Sequence, residues 1–342
     1  MSKIRTILDV IERKKTGTIP VIPVTTKFAV SRSPYSFDEC DSDPQKYVEA
    51  IVESRRRFGY DGLWTDTFQG ITAVMGKGLI DKHGRESVTG QSTIQEPEDL
   101  PNIKPFSIDA CAQLHMRIET IRALKKAEPD EPVFTIIDNP CMVAADLMDG
   151  ANYYYHMLTN PGFIHEMTEI VFEPLQKCTE MLIEAGADVI WLPFPTLGGT
   201  CISRKHYEEF CTGYNKRFND FVLSKGVHLI VHTCGNWNDR LDLAVSEGAH
   251  GLHIAETILK DAKKDIGGSV SLMGQVPCVP VMMNGDPEMV YNECLDECLT
   301  GAVGGGFILS PDCGLSPKTS DENIKAMIEA AKDAEKQLAG KC

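Results

Sequence analysis

The chain has 342 residues, of which 42% are hydrophobic and 24% charged, so it can bury a core as one large domain or two ordinary ones. Acidic residues (49) outnumber basic ones (34) for a formal net charge of −15, which argues against a nucleic-acid or anionic-membrane surface. No signal peptide or transmembrane run is visible, and 12 scattered cysteines without disulfide spacing favour a reducing cytoplasm.

Strand-like and helix-like segments alternate along the whole chain, without a linker or low-complexity tract. Several strand-like runs are continuously apolar, as in parallel strands that helices cover. Eight such runs match the strand number of a (β/α)8 barrel, so we predict an α/β fold: one TIM-barrel domain over residues 1–342 with an N-terminal helical lead-in. The predicted strands are residues 19–24, 62–66, 133–138, 188–194, 227–232, 251–254, 270–274 and 306–310.

Helical periodicity fills the stretches between these strands. It predicts helices over Pro44–Phe58 and 163–185. The last predicted helix covers 320–338, and Thr319 as its cap forms a capping box with Glu322.

Two further stretches have a predicted place in the barrel. Residues 66–104 are too long for an ordinary βα loop, so we expect them to cover the barrel mouth. Cys294 and Cys298 stand four residues apart on a predicted helix, where we favour an exposed or half-buried pair of thiols over a metal chelate.

A set of metal-ligand residues is split between two distant segments. The segment V-H-T-C-G-N contains His232 and Cys234, and S-P-D-C-G-L contributes Cys313 much later. Both segments follow strand-like runs, so in a parallel barrel all three residues lie on the rim that carries barrel active sites. One imidazole and two thiolates suit Zn²⁺ and leave its fourth position open for a substrate. The alternative is a pair of buried cysteines without metal, since H-x-C alone often arises by chance.

Other stretches carry a family resemblance: G-Y-D-G-L-W-T-D at 59–66, A-G-A-D-V-I-W-L at 185–192, I-S-R-K-H-Y-E-E-F at 202–210, L-M-G-Q-V-P at 272–277 and S-P-D-C-G-L-S-P-K-T-S-D-E-N-I at 310–324. In this order and spacing they resemble the uroporphyrinogen decarboxylase superfamily over nearly the whole chain. Within it, H-x-C followed much later by Cys resembles the zinc-dependent cobamide methyltransferase branch, which includes methylcobamide:coenzyme M methyltransferases. The resemblance implies that His232, Cys234 and Cys313 are zinc ligands.

The porphyrinogen decarboxylases of the same superfamily use no metal and resemble one another in an N-terminal R-Q-A-G-R segment. Here the corresponding stretch reads T-T-K-F-A-V-S-R-S-P and lacks that motif. The decarboxylase interpretation therefore loses its anion-binding arginines and leaves the cysteines unexplained.

The ligand set favours thiol chemistry over hydrolysis. Two thiolates cancel the charge of Zn²⁺, which weakens it as a Lewis acid for water. Zinc lowers the pKa of a bound thiol from about 8.5 enough to keep it as a thiolate at neutral pH, ready to attack methyl-Co(III). No D-x-H-x-x-G corrinoid motif is visible, and D-K-H-G at 81–84 does not supply one. We therefore expect a separate corrinoid protein to carry the corrinoid.

Weaker candidate residues follow other predicted strands. Glu256 is either a temporary fourth zinc ligand or a solvated loop carboxylate. Asp66 stands at the position where the decarboxylases of the superfamily that this chain resembles carry a catalytic Asp. Asp138 and Asn139 are candidates for lining the pocket that receives the corrinoid or substrate, with Tyr154 as part of an aromatic wall.

The expected function is a zinc-dependent methyltransferase that exchanges a methyl group between a corrinoid protein and a small thiol. One alternative runs in the other direction, with a methyl donor such as an aryl methyl ether methylating Co(I). Two others are a porphyrinogen decarboxylase-like enzyme and a non-catalytic tetrapyrrole-binding barrel. A homodimer is one option for the assembly, and His253 fits best as a core histidine whose ring nitrogens are satisfied.

Overall fold

Seven parallel strands form the central sheet of the protein. The computed structural model describes residues 2–77, 79–80, 86–87 and 94–340. Within this sheet, each strand pairs with the sheet strand that follows it along the chain, and helices connect them. This arrangement confirms the α/β architecture. A separate antiparallel pair consists of β2 (Leu79–Ile80) and β3 (Glu86–Ser87). The sheet order is β1 (Leu63–Trp64), β4 (Val133–Ile136), β5 (Val189–Pro193), β6 (His228–Thr233), β7 (Gly251–Ile254), β8 (Ser271–Val276) and β9 (Phe307–Pro311).

The first predicted strand, 19–24, is not a regular strand. It forms only isolated parallel bridges, one of which joins Val21 to Leu309 of β9. On its other side the N–H of Asp61, just before β1, donates to the carbonyl of Val21 at 2.7 Å. The segment contains two prolines, which have no N–H to donate to a ladder. It therefore lies between the two edge strands of the sheet without completing a ladder with either.

Helices surround the sheet, and several match the sequence prediction. α4 begins and ends where predicted: the carboxylate of Asp43 accepts backbone N–H groups of the first turn, and Gly59 ends the helix with φ +83°. In chain order the α-helices are α1 (Lys3–Ile11), α2 (Thr26–Ser31), α3 (Phe37–Ser42), α4 (Pro44–Phe58), α5 (Gly70–Thr72), α6 (Ala112–Ala127), α7 (Pro140–Met148), α8 (Gly150–Thr159), α9 (Pro161–Glu184), α10 (Arg204–Tyr207), α11 (Gly213–Ser224), α12 (Leu241–Ser246), α13 (Leu259–Asp265), α14 (Pro287–Gly301) and α15 (Asp321–Ala339). Single turns of π-helix cover Ala73–Lys77, Glu208–Thr212 and Cys278–Met283, and a 3₁₀ helix covers Pro97–Asn102. None of the described helices has the length and apolar composition needed to span a bilayer.

Two expectations about the C-terminal helices are wrong in detail. The cap of α15 is Ser320 and not Thr319, because the helix begins at Asp321; the Ser320 hydroxyl accepts the N–H of Asn323 at 3.2 Å. Cys294 and Cys298 do lie on a helix, α14, but both are fully buried and not exposed or half-buried. Their sulfurs face the shell between helices and strands, where a small apolar side chain packs well.

The strands separate two apolar cores. Alternate residues of a strand point to opposite faces of the sheet. One set joins the helices in the larger core, and the other set forms an inner cluster with the apolar face of α1: Ile7, Val10, Ile11, Ile22, Val24, Trp64, Phe134, Ile136, Val189, Trp191, Ile230, Met273 and Ile308.

The N-terminal helix covers the end of the sheet at which the strands begin. Lys3 of α1 forms ion pairs with Asp61 and Glu131, which precede β1 and β4, at 2.7 and 2.6 Å. Glu12, just after α1, contacts His228 at the start of β6, with 3.0 Å between Oε1 and Nε2. This helix is the predicted lead-in, and it leaves the opposite end, where the strands finish, for a site.

The long connection after β1 contains α5, the first π-helical turn, the β2–β3 pair and the 3₁₀ helix. The stretch D-K-H-G at 81–84 lies outside the described residues. The role of residues 66–104 as a cover of the barrel mouth stays a prediction.

Candidate metal centre

The structure brings His232, Cys234 and Cys313 together at the carboxyl end of the sheet. His232 is the next-to-last residue of β6, Cys234 follows that strand directly, and Cys313 comes two residues after β9. One ligand atom from each residue lies within 4.8 Å of the others. The strands run parallel, so residues far apart in sequence meet at one edge.

The imidazole of His232 is oriented for a ligand that protein atoms do not supply. Its Nδ1 lies 3.2 Å from the carbonyl oxygen of His253. A carbonyl oxygen only accepts hydrogen bonds, so Nδ1 carries the proton and Nε2 presents a lone pair. Nε2 is buried and has no hydrogen-bond partner among the described residues. Trp191 stacks on the ring at 4.8 Å and 15°, which holds its plane. A metal ion would satisfy this orphaned nitrogen, so the residues fit one.

The two thiols of the cluster shift each other's pKa. The neighbouring side chains of Cys234 and then of His232 lower the pKa of Cys313 to about 4. The interaction with Cys313, followed by burial, raises the pKa of Cys234. The lowered pKa of Cys313 favours its thiolate, which is the form of cysteine that binds metal ions.

Backbone contacts hold the two cysteine turns. Gly235 follows Cys234 with φ +77°, a left-handed conformation that favours glycine, and Trp237 Nε1 donates to the Cys234 carbonyl at 2.9 Å. On the other turn, the thiol of Cys278 donates to the Cys313 carbonyl at 3.2 Å. The N–H of Cys278 donates to Asp312 Oδ1 at 2.9 Å. Cys278 is not among the residues predicted from the sequence, although its place just after β8, the neighbour of β9, was a usable signal.

His253 connects the strands that carry the three ligands. Its Nε2 lies 2.7 Å from the carbonyl of Pro311 on β9, and its Nδ1 accepts the indole N–H of Trp191 on β5 at 3.2 Å. Its own carbonyl accepts from His232 and from the hydroxyl of Thr233. Burial lowers the pKa of His253 well below its usual value, so the ring is neutral. Both ring nitrogens are satisfied, as expected for a core histidine.

The two predicted catalytic carboxylates lie outside the cluster of ligand atoms. Glu256 is exposed two residues after β7, and its charge contributes to raising the pKa of Cys234, after Cys313, burial and Asp312. Asp66 is half-buried two residues after β1, and its carboxylate accepts the N–H of Thr67 at 2.9 Å. Among the described residues, neither carboxylate belongs to a group of ligand atoms close enough to share an ion.

The predicted pocket-lining residues differ in how their polar atoms are used. Asn139 caps α7 by accepting the N–H of Met142 at 3.1 Å, and its amide donates to the Pro193 carbonyl at 3.2 Å. The Tyr154 hydroxyl donates to the carbonyl of Thr196 at 2.9 Å. The polar atoms of these two side chains therefore already form hydrogen bonds with other parts of the protein.

Asp138 is different, because its side chain is almost completely buried and no other described residue forms a hydrogen bond with it. It is 7% exposed, and no hydrogen bond or ion pair joins it to any described residue. Burial, and then the charge of Asp146, raises its pKa to about 8.

Known proteins resemble this chain over most of its length. A family model described as "Uroporphyrinogen decarboxylase (URO-D)" matches residues 2–334. The methylcobamide:CoM methyltransferase MtaA of Methanosarcina barkeri is 27% identical over 334 residues, which cover 95% of this chain and 96% of the relative. The corresponding MtbA of Methanosarcina acetivorans is 24% identical over 242 residues, 70% of this chain and 69% of the relative. A solved methyltransferase from Methanosarcina mazei superposes with a TM-score of 0.83 at 21% identity, over 97% of this chain and 99% of that one.

Proposed function

The chain belongs to the uroporphyrinogen decarboxylase family, and we propose that within this family it is a methyltransferase that exchanges a methyl group between a corrinoid protein and a small thiol. The observation that carries the proposal is the His232, Cys234 and Cys313 cluster with its unpartnered buried Nε2. The two relatives named as methylcobamide:CoM methyltransferases support the same reaction class.

The donor set supports zinc as the metal. His232, Cys234 and Cys313 would hold the ion through one nitrogen and two sulfurs, a set that suits Zn²⁺ and leaves one position for the substrate. Bound there, Zn²⁺ would lower the pKa of a substrate thiol so that the thiol is present as thiolate at neutral pH. Glu256 stands at the rim as a candidate for the exchangeable fourth ligand, and Asp66 as a candidate for orienting the substrate.

The protein's own part is to position the reactants and exclude water. His253 sets the distance between the two ligand-bearing strands, and the inner apolar cluster seals the site from the opposite end of the sheet. In the transfer, the thiolate sulfur forms a bond to the methyl carbon of methyl-Co(III) while the carbon–cobalt bond breaks. Both electrons of that bond stay on cobalt as Co(I). The corrinoid arrives on a separate protein that docks over the barrel mouth.

We also propose that residues 1–342 form one barrel domain in which the segment 19–24 takes the place of the eighth strand. Its bridge to β9 and the hydrogen bond from Asp61 support this closure. A (β/α)8 barrel places its active site at the carboxyl ends of the strands, where the cysteine and histidine cluster lies.

Metal analysis combined with two transfer assays tests the proposed function. Protein purified without added metal should contain about one zinc per chain, as expected for one three-ligand site. It should then demethylate methyl-Co(III) with a thiol. Methylation of Co(I) from methoxylated aromatics, without thiol activity, would support the reverse direction. Zinc-independent decarboxylation of a porphyrinogen, or stoichiometric corrinoid binding without turnover, would contradict the proposal.

A further inference from the structure

Asp138 lies in the same row of the sheet as His232. Ile136 of β4 pairs with Trp191 of β5, and Pro193 of β5 pairs with His232 of β6. Asp138 stands two residues beyond Ile136, so it falls level with Pro193. The hydrogen bond from the neighbouring Asn139 to the Pro193 carbonyl continues this alignment past the end of β4.

Both side chains of this row point to the inside of the curved sheet. Ile136 and Ile230 belong to the inner apolar cluster, and the residues two positions further on, Asp138 and His232, face the same way. Only β5 separates them, so their backbones are about 10 Å apart at the usual spacing of neighbouring strands. A small molecule with one atom on the metal would reach toward Asp138 with its other end.

The Asp138 carboxyl group has an unused capacity for hydrogen bonding. It is 7% exposed and no described residue bonds to it, although burying a polar group without a partner is costly. Two other buried polar side chains at this end of the sheet, Asn139 and His253, have protein partners. An unpartnered carboxyl facing the candidate metal site therefore indicates a place for a ligand group.

We propose that Asp138 binds the end of the small substrate remote from its reacting heteroatom, and that this end is a hydroxyl or an ammonium group and not an anion. The proposal rests on the proposed function and names its substrate class. It applies to a thiol acceptor and equally to a methyl donor that uses the same site.

The charges around Asp138 favour this class of ligand. Burial together with Asp146 holds its pKa near 8, so without a ligand the carboxyl is mostly protonated at neutral pH. A hydroxyl can exchange hydrogen bonds with it, and an ammonium can stabilise its ionised form. An anionic end would meet the negative field of Asp146 that already disfavours ionisation of Asp138.

Three thiols of equal length test the proposal: 2-mercaptoethanol, 2-mercaptoethylamine and 2-mercaptoethanesulfonate. The zinc enzyme is assayed for kcat/KM with methyl-cobalamin, and thiol Kd is measured by absorbance on the Co(II)-substituted protein. We expect the wild type to favour the alcohol or amine over the sulfonate. In Asp138→Asn the amine-to-sulfonate ratio of kcat/KM should fall at least about tenfold, and the amine-to-sulfonate ratio of Kd should rise by a similar factor, as for the loss of a charged hydrogen bond.

Glu247→Gln is the matched control. Glu247 is another fully buried carboxyl whose pKa burial raises to about 8, but it already accepts from the Tyr207 hydroxyl at 2.6 Å. This variant should leave the ratio unchanged, and Asp138→Ser provides a second test if the Asn variant folds poorly. A wild-type preference for the sulfonate, or equal ratios in wild type and both Asp138 variants, overturns the assignment. If no thiol is methylated, the proposed function fails, and the Kd ratios still decide the role of Asp138.

Discussion

Replacing His253 by leucine removes the connection between the strands that carry the proposed ligands. The substitution leaves two buried groups without partners, the indole N–H of Trp191 and the carbonyl of Pro311. Each loss costs about 1–3 kcal/mol, so the free energy of unfolding should fall by about 2–6 kcal/mol.

The same substitution should weaken metal binding. Pro311 lies two residues before Cys313, so releasing its carbonyl frees the turn that carries one of the thiolates. Removing a group that orients a metal ligand typically lowers metal affinity by about 10–100-fold. His253→Gln keeps an amide N–H near the position of Nε2 and should recover most of that affinity.

Urea denaturation of the metal-free protein and zinc titration against a competing chelator measure the two effects separately. His250→Leu is the control, because His250 precedes β7 at the opposite end of the sheet and its ring nitrogen Nδ1 accepts the N–H of Leu229 there, at 3.2 Å. The control should lose about 1 kcal/mol of stability and keep its zinc affinity. Wild-type zinc affinity in His253→Leu would refute the reasoning that this side chain positions Cys313.

Other substitutions probe the metal, the pH dependence and a helix cap. Cys313→Ala should remove most bound zinc and nearly all methyl transfer but leave a folded protein by circular dichroism, since a core of this size does not depend on one metal. Cys294→Ala, at a buried position on α14, should keep both the zinc and the transfer activity. The reverse pattern would show that the wrong cysteine had been assigned to the metal. Burial raises the pKa of Glu297 from 4.5 to about 8, so between these pH values the folded state binds a proton that the unfolded state releases. The contribution of this proton to stability is complete below pH 4.5 and is lost as pH rises through 8. Urea denaturation at pH 5 and pH 9 should therefore show Glu297→Gln gaining stability relative to wild type as pH rises, and a pH-independent difference would contradict the assignment. Ser320→Ala should lower the free energy of unfolding by about 1 kcal/mol, measured by thermal or urea unfolding, and Thr319→Ala should lower it less, because Ser320 caps α15. The opposite order would support the capping box of Thr319 and Glu322 that the sequence predicted.

Patterns that depend on neighbouring residues were predictable from the sequence. α4 was predicted at both ends because Asp43, Pro44 and Gly59 mark them locally, and β7 was predicted at both ends as a short apolar run. Local signals failed where two adjacent residues compete for one position, as Thr319 and Ser320 do at the cap of α15. The segment 19–24 is as apolar as the other strands, but its prolines limit it to isolated bridges.

The sequence by itself determined which residues could form a metal site. The H-x-C segment and the distant Cys are metal-binding residue types, and each follows a strand-like run that can be read directly from the sequence. Only the tertiary structure decided that their ligand atoms lie within 4.8 Å of one another, since the pairing and curvature of the parallel strands set that distance. It also separated Asn139, whose amide caps a helix, from its neighbour Asp138, whose nearly buried carboxyl has no partner within the described part of the chain. Adjacent residues look alike in a sequence, but at the end of a strand they face different surroundings, and those surroundings determine what each side chain can bind.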